Sequence, residues 1–128
     1  MRLLLDTHVL IWWLGNAAEL TRRLRSAIAD PVNDILVSSV SAFEITTKFR
    51  LGKLPSAALL ATDVPGHVER AGFQELPLTA RHAARAGLLP HPHRDPFDRL
   101  LAAQALVEGL PLASVDKVFD QLMVERIE

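Results

Sequence analysis

Cysteine is absent from the sequence of 128 residues. This removes disulfides and thiolate-bound metals and fits a reducing compartment. There is no excess of positive charge either. Fourteen Lys and Arg stand against fifteen Asp and Glu, a net charge of −1, so no overall basic field points to nucleic acid. That balance leaves RNA chemistry open, because a small enzyme can hold a phosphate through a metal ion and a few arginines. Long apolar runs are missing too. The N-terminal ones are short and broken by Asp6, Thr7 and His8, which excludes a signal peptide or membrane span and makes the cytoplasm the expected location. Tryptophan occurs only as Trp12 and Trp13, with no basic residues alongside, so the pair fits a core or subunit contact better than base stacking. There are no internal repeats and no linker long enough to divide the chain, so one domain over residues 1–128 is expected.

What is present is an ordinary globular balance, 49% apolar and 23% charged, patterned as short buried strands alternating with helices. Arg2-Leu3-Leu4-Leu5-Asp6-Thr7 reads as a fully buried strand ending abruptly in an acid. A short apolar helix follows, Val9 to Leu14, closed by Gly15-Asn16. Leu20 to Ala29 is a second helix, with Arg22, Arg23 and Arg25 on a solvated face. Ile35-Leu36-Val37 is the second strand, leading through Ser38–Ser41 into a helix from Ala42 to about Leu51 that Gly52 ends. Short helices over Ser56–Thr62 and Pro65–Ala71, a strand over Phe73–Leu76 and a helix over Ala80–Gly87 come next. After the polar loop Pro90–Arg94, Asp95-Pro96 opens the longest helix, apolar nearly all round and running to Glu108. Leu112-Ala113-Ser114 is the fourth strand, and Val124 to Ile127 a fifth at an edge. This order predicts an α/β fold, a three-layer α/β/α sandwich around a mostly parallel sheet of about five strands.

Four acids share one address in that arrangement. Asp6 ends the first strand, Glu44 lies in the first turn of the helix after the second, Asp98 opens the longest helix, and Asp116 follows the fourth strand. The junctions from strand to helix all face one edge of a parallel sheet, where ligands bind. Converging carboxylates are hard oxygen ligands for Mg²⁺ or Mn²⁺, ions that keep several waters and engage a phosphate. Each acid also has a local explanation. Asp6 can cap the following helix. Ser41 and Glu44 fit a capping box, and Asp95 fits an N-cap with Asp98 complementing the helix dipole. Asp116-Lys117 can be a turn, and Lys48 fits an i,i+4 pair with Glu44. His91 and His93, two apart, form a competing metal candidate that needs His8 or His82 to complete it, at a spacing matching no standard zinc signature.

The motifs resemble a known family. Leu4 to Leu14 resembles the opening of PIN-domain proteins of the VapC toxin type. Ser38 to Ile45 resembles their second acidic motif, followed by Leu51-Gly52-Lys53-Leu54 as in one branch. His93-Arg94-Asp95-Pro96-Phe97-Asp98-Arg99-Leu100-Leu101-Ala102-Ala103-Gln104-Ala105 is the most specific match, and Leu112 to Asp116 resembles the last motif. The resemblance spans essentially the whole chain and implies a Mg²⁺- or Mn²⁺-dependent ribonuclease with a PIN-like sheet. It implies a homodimer inhibited by a small VapB-like antitoxin, with the family's acidic positions on Asp6, Glu44, Asp98 and Asp116. Such a metal would polarise a phosphoryl oxygen and activate a water for in-line attack on RNA. Thr7, Asp95, Arg99 and Ser114 are expected beside the acids, touching substrate or steadying the carboxylates. Ser114 stands where many members carry threonine, and Phe43 where this branch often has tryptophan. Two other readings remain: a phosphatase using Asp6 as nucleophile, which usually needs an aspartate where His8 stands, and a PIN fold that binds RNA or a partner without cutting.

Overall fold

A computed structural model describes residues 1–128. Five strands form one sheet: β1 Arg2–Leu5, β2 Asp34–Ser38, β3 Gln74–Leu76, β4 Leu112–Ala113 and β5 Arg126–Ile127. Their order is β3-β2-β1-β4-β5 and every pairing is parallel, so the expected sheet is parallel throughout. Leu3, Leu4 and Leu5 are all fully buried, and their alternating side chains feed two separate cores. Leu3 and Leu5 join Ile35 and Val37 in one, and Leu4 joins Leu36, Leu76 and Leu112 in the other. An uninterrupted leucine run is therefore what a strand covered on both faces requires.

Helices α1 Thr7–Leu14, α2 Arg22–Ala29, α3 Ser39–Arg50, α4 Ala58–Thr62 and α5 Val64–Arg70 supply the first core. A single 3-10 turn at Pro55–Ala57 precedes α4. Helices α6 Ala80–Leu88, α7 Pro96–Glu108 and α8 Val118–Gln121 lie on the other side, where Leu101, Ala102, Ala105, Phe119 and Leu122 fill the second core. The result is the expected three-layer sandwich. No helix is long and apolar enough to cross a membrane.

Local chemistry sets the helix ends. Thr21 caps α2 by accepting the Leu24 N–H at 3.2 Å, which starts that helix at Arg22 and not at Leu20. Asp95 caps α7, Pro96 occupies its first turn, and Gly109 closes it at φ +65°, a conformation glycine adopts without strain. The start of α3 differs more from expectation. Ser38, not Ser41, is its N-cap, accepting the Val40 N–H at 2.9 Å, so the helix begins at Ser39. Glu44 therefore sits in the second turn, and the Ser41–Glu44 capping box does not form. Ser38 prevails because its hydroxyl also meets the buried side chain of Gln104 on α7.

Arg99 fastens the loop between α6 and α7. Its guanidinium donates to the carbonyls of Ala86 (3.1 and 2.7 Å), Leu89 (2.8 Å), His91 (2.7 Å) and His93 (3.1 Å). The end of α6 and the loop leading to α7 are thus held by one planar fork of donors.

Candidate active site

The chain runs outward from β1 through β2 to β3, then returns to β4 on the other side of β1. Where that order reverses, the loops after β1 and β4 diverge and leave a cleft at the carboxyl edge of the sheet. The cleft holds about 410 Å³ and is lined by five carboxylates, Asp6, Glu44, Asp95, Asp98 and Asp116, with His8, Trp12, Lys48 and Val115. The four acids expected to converge do so, and Asp95 joins them.

Asp6 follows the last residue of β1 and stands at the N-cap position of α1, yet its side chain makes no capping bond. Its Oδ2 instead accepts the Ser114 hydroxyl at 2.7 Å, across the two central strands. Asp6 is 7% exposed. Burial pushes its carboxyl from 3.8 up to about 6, against the opposing influence of the Ser114 hydroxyl and His8, with Asp98 adding to the rise. Ser114 is fully buried and also accepts the Asp116 N–H at 3.0 Å, so one hydroxyl sets both the Asp6 carboxylate and the chain leading to Asp116. The turn explanation for Asp116 holds alongside its place in the cleft, since its Oδ1 accepts the Val118 N–H at 3.0 Å.

Asp98 lies in the first turn of α7, and its Oδ2 meets His93 Nε2 at 2.9 Å. Burial raises its pKa. The His93 hydrogen bond opposes that, and the neighbouring charges of Asp95 and Asp116 reinforce it. Asp95 keeps its capping role, with Oδ1 accepting the N–H groups of Phe97 (2.9 Å) and Asp98 (3.3 Å). Glu44 is buried and ion-paired to Lys48 at 2.5 Å, as the i,i+4 spacing suggested. Lys48 is the only lysine or arginine lining the cleft, and its ammonium stands 5.8 Å from the Phe97 ring.

Other expectations are corrected. Arg99 is spent on four backbone carbonyls and has no free edge to steady a phosphate. Thr7 is 1% exposed and its hydroxyl pairs with Ser41 Oγ at 2.9 Å, so it ties α1 to α3 from beneath the cleft surface. The histidines do not assemble into a site of their own. His82 is buried between the Thr79 N–H and Glu108, and His91 Nδ1 accepts the His93 N–H. Trp13 packs on Phe73, the core role expected of it, whereas Trp12 is a wall of the cleft. The His93–Asp98 contact went unforeseen, because a histidine in a proline-rich loop has no pattern that says which way it turns.

The donor set suits a hard divalent cation. Five carboxylates face one ammonium, and burial makes the charged forms of Asp6 and Asp98 costly unless a countercharge is supplied.

Comparison with known proteins bears on the family and the fold. The family model described as PIN domain matches residues 3–124. Ribonuclease VapC16 of Mycobacterium tuberculosis is 38% identical over 68 residues, a stretch covering 53% of this chain and 48% of that protein, so the match spans about half the length of the curated relative. Among solved structures, VapBC2 from Rickettsia felis bound to a promoter DNA fragment superposes with a TM-score of 0.71 at 16% identity, covering 99% of this chain and 98% of that one. FitAcB from Neisseria gonorrhoeae gives 0.70 at 19% identity, covering 98% and 96% of the two chains. DNA-bound VapBC from Salmonella typhimurium gives 0.69 at 18% identity, covering 100% and 97%. At these identities the structural likeness is one of fold.

Proposed function

The chain belongs to the PIN domain family, and from that premise we propose that it is a metal-dependent endoribonuclease, the toxin of a toxin–antitoxin pair. The observation that carries the reading is the gathering of Asp6, Glu44, Asp98 and Asp116 in one cleft at the point where the strand order reverses. The name of the ribonuclease relative supports RNA as substrate, and the VapBC structures support a small VapB-like antitoxin. We further propose one domain over residues 1–128, assembly as a homodimer, and action in the cytoplasm.

Asp6, Glu44, Asp98 and Asp116 would hold Mg²⁺, with Mn²⁺ able to replace it. Such an ion supplies Lewis-acid polarisation of a phosphoryl oxygen and lowers the pKa of the attacking water. The protein's own part is positioning. Ser114 fixes the Asp6 carboxylate, Asp95 orders the first turn of α7 that carries Asp98, and Lys48 holds Glu44 while bringing one positive charge to the cleft. On this reading no side-chain nucleophile is needed. Cysteine is absent, and the hydroxyls of Ser38, Ser41, Ser114 and Thr7 are buried and bonded inward, so attack falls to water.

The test is incubation of the purified, antitoxin-free protein with total RNA, with and without Mn²⁺ or EDTA, beside Asp6→Asn. Cleavage that needs the metal and Asp6 is expected. Intact RNA from folded wild type in every condition overturns the reading in favour of a PIN fold that binds without cutting. In cells, expression alone should arrest growth, and co-expression of the neighbouring small open reading frame should relieve it.

A further inference from the structure

His93 stands at the rim of the cleft with an imidazole committed to one contact. Its main-chain N–H goes to His91 and its carbonyl to Arg99, whereas its ring bonds only to Asp98, Nε2 to Oδ2 at 2.9 Å. Asp95 is similarly half-engaged: Oδ1 caps α7 and Oδ2 makes no hydrogen bond. One ligand atom from each of His93, Asp95 and Asp98 lies within 4.8 Å of the other two, and no other trio of histidine and carboxylate side chains in the protein is drawn together as tightly. All three are half-buried, which leaves them open to a hydrated ion. Asp6 and Glu44, deeper in, are already engaged with Ser114 and Lys48.

The spacing also suits ligation. Two cis ligands of an octahedral ion with bonds of about 2.1 Å lie about 3 Å apart, close to the observed separation of His93 Nε2 and Asp98 Oδ2. Nε2 can present its lone pair to a cation when the ring proton sits on Nδ1, which has no partner to lose. Arg99 holds the backbone of the loop at His91 and His93, so the imidazole is presented from an anchored segment.

We propose that His93 is a ligand of the metal centre, joining Asp95 and Asp98 at its outer side. The inference rests on the metal-site reading above and deepens it by naming the kind of ion preferred. A purely carboxylate site suits Mg²⁺, whereas an imidazole nitrogen favours Mn²⁺ and later first-row ions, which bind nitrogen more strongly. His93 thus biases the site toward Mn²⁺ over Mg²⁺.

The test is metal binding, read apart from activity. Calorimetric titration with Mn²⁺ and Mg²⁺ compares wild type with His93→Ala, and pulsed electron paramagnetic resonance of the Mn²⁺-loaded protein reads coupling to ¹⁴N. His8→Ala serves as control, because His8 also lines the cleft. Wild type should show nitrogen coupling that His93→Ala loses and His8→Ala keeps. Removing the imidazole should lower Mn²⁺ affinity by about tenfold and change Mg²⁺ affinity much less. The variant should fold, since Arg99 and His91 contact only the backbone of His93. Mn²⁺ binding without nitrogen coupling, or with coupling lost in His8→Ala instead, overturns the role of His93 and leaves the acid site standing. Failure of folded wild type to bind either ion overturns the site and this inference together.

Discussion

Replacing Asp6 with asparagine should stabilise the metal-free protein while abolishing cleavage. Burial raises the Asp6 carboxyl from 3.8 to about 6. A group whose folded pKa is raised binds more protons in the folded than in the unfolded state between those two values. Its ionisation therefore removes stability as the pH climbs through that interval. The rise corresponds to about 3 kcal/mol of lost stability at pH 7.5, where both states are ionised, and to roughly half of that at pH 5, where the folded state keeps its proton. Asparagine carries no charge and retains an oxygen for the Ser114 hydroxyl. Its amide nitrogen faces the remaining carboxylates, and burying that amide offsets part of the gain. The net expectation is about 1–2 kcal/mol at pH 7.5, or a melting temperature higher by about 4–8 °C for a domain of this size. Thermal melts of both proteins in EDTA, at pH 7.5 and pH 5, measure the effect. At pH 5 the charge penalty is smaller by about 1.5 kcal/mol while the amide cost is unchanged, so the gap should close almost entirely. Mn²⁺ should then raise the wild-type melting temperature and do far less for the variant, since a ligand stabilises only the state that holds its site. If Asp6→Asn melts below wild type at pH 7.5, or the gap is the same at both pH values, burial does not penalise this charge and Asp6 is a structural residue.

Three further outcomes are expected. If water attacks phosphorus, the RNA products carry 5′-phosphate and 3′-hydroxyl ends; 2′,3′-cyclic phosphates in end-group analysis would refute a water nucleophile. Ser114→Ala removes a hydroxyl that donates to Asp6 and accepts from the Asp116 N–H. It should raise the Asp6 pKa further, visible by carboxyl NMR titration, and cost about 1–2 kcal/mol in urea denaturation. Arg99→Ala strips five donated bonds from four carbonyls and should cost about 2–4 kcal/mol, while Arg99→Lys, lacking the planar fork, should recover only part of this.

Much of the fold is legible because buried parallel strands leave a plain mark. Leu3 to Leu5, Ile35 to Val37 and Leu112-Ala113 are apolar on both faces, and each is followed by helix-starting residues. The short helix α8 carries no such mark, since four residues give no period to detect. At the site, Asp6, Glu44 and Asp116 are foreseeable from strand order, because every junction on one edge of a parallel sheet opens to the same side, whereas Asp98 opens a helix that follows α6 and reaches that edge because α7 runs back toward the start of β4. The start of α3 is not. Ser38, Ser39 and Ser41 are all competent caps, and the choice is made by partners distant in sequence, Gln104 for Ser38 and Thr7 for Ser41. Arg99 is misread for a similar reason. Its acceptors are carbonyls, which every residue possesses, so nothing in the sequence marks them.

The bond between Asp6 and Ser114 joins residues 108 positions apart, and β4, which carries the chain to Ser114, pairs directly with β1. A ribosome therefore releases Asp6 long before its counterpart exists. At about 5–20 residues per second, roughly 5–20 s separate the two. Through that interval β1 lacks a neighbour on one side, and the acids after β1 and β2 have no opposite wall. The nascent polypeptide consequently lacks the finished cleft until its penultimate strand slots in. For a protein proposed to degrade RNA, that order of assembly would keep the carboxylates apart while the chain is still on the ribosome.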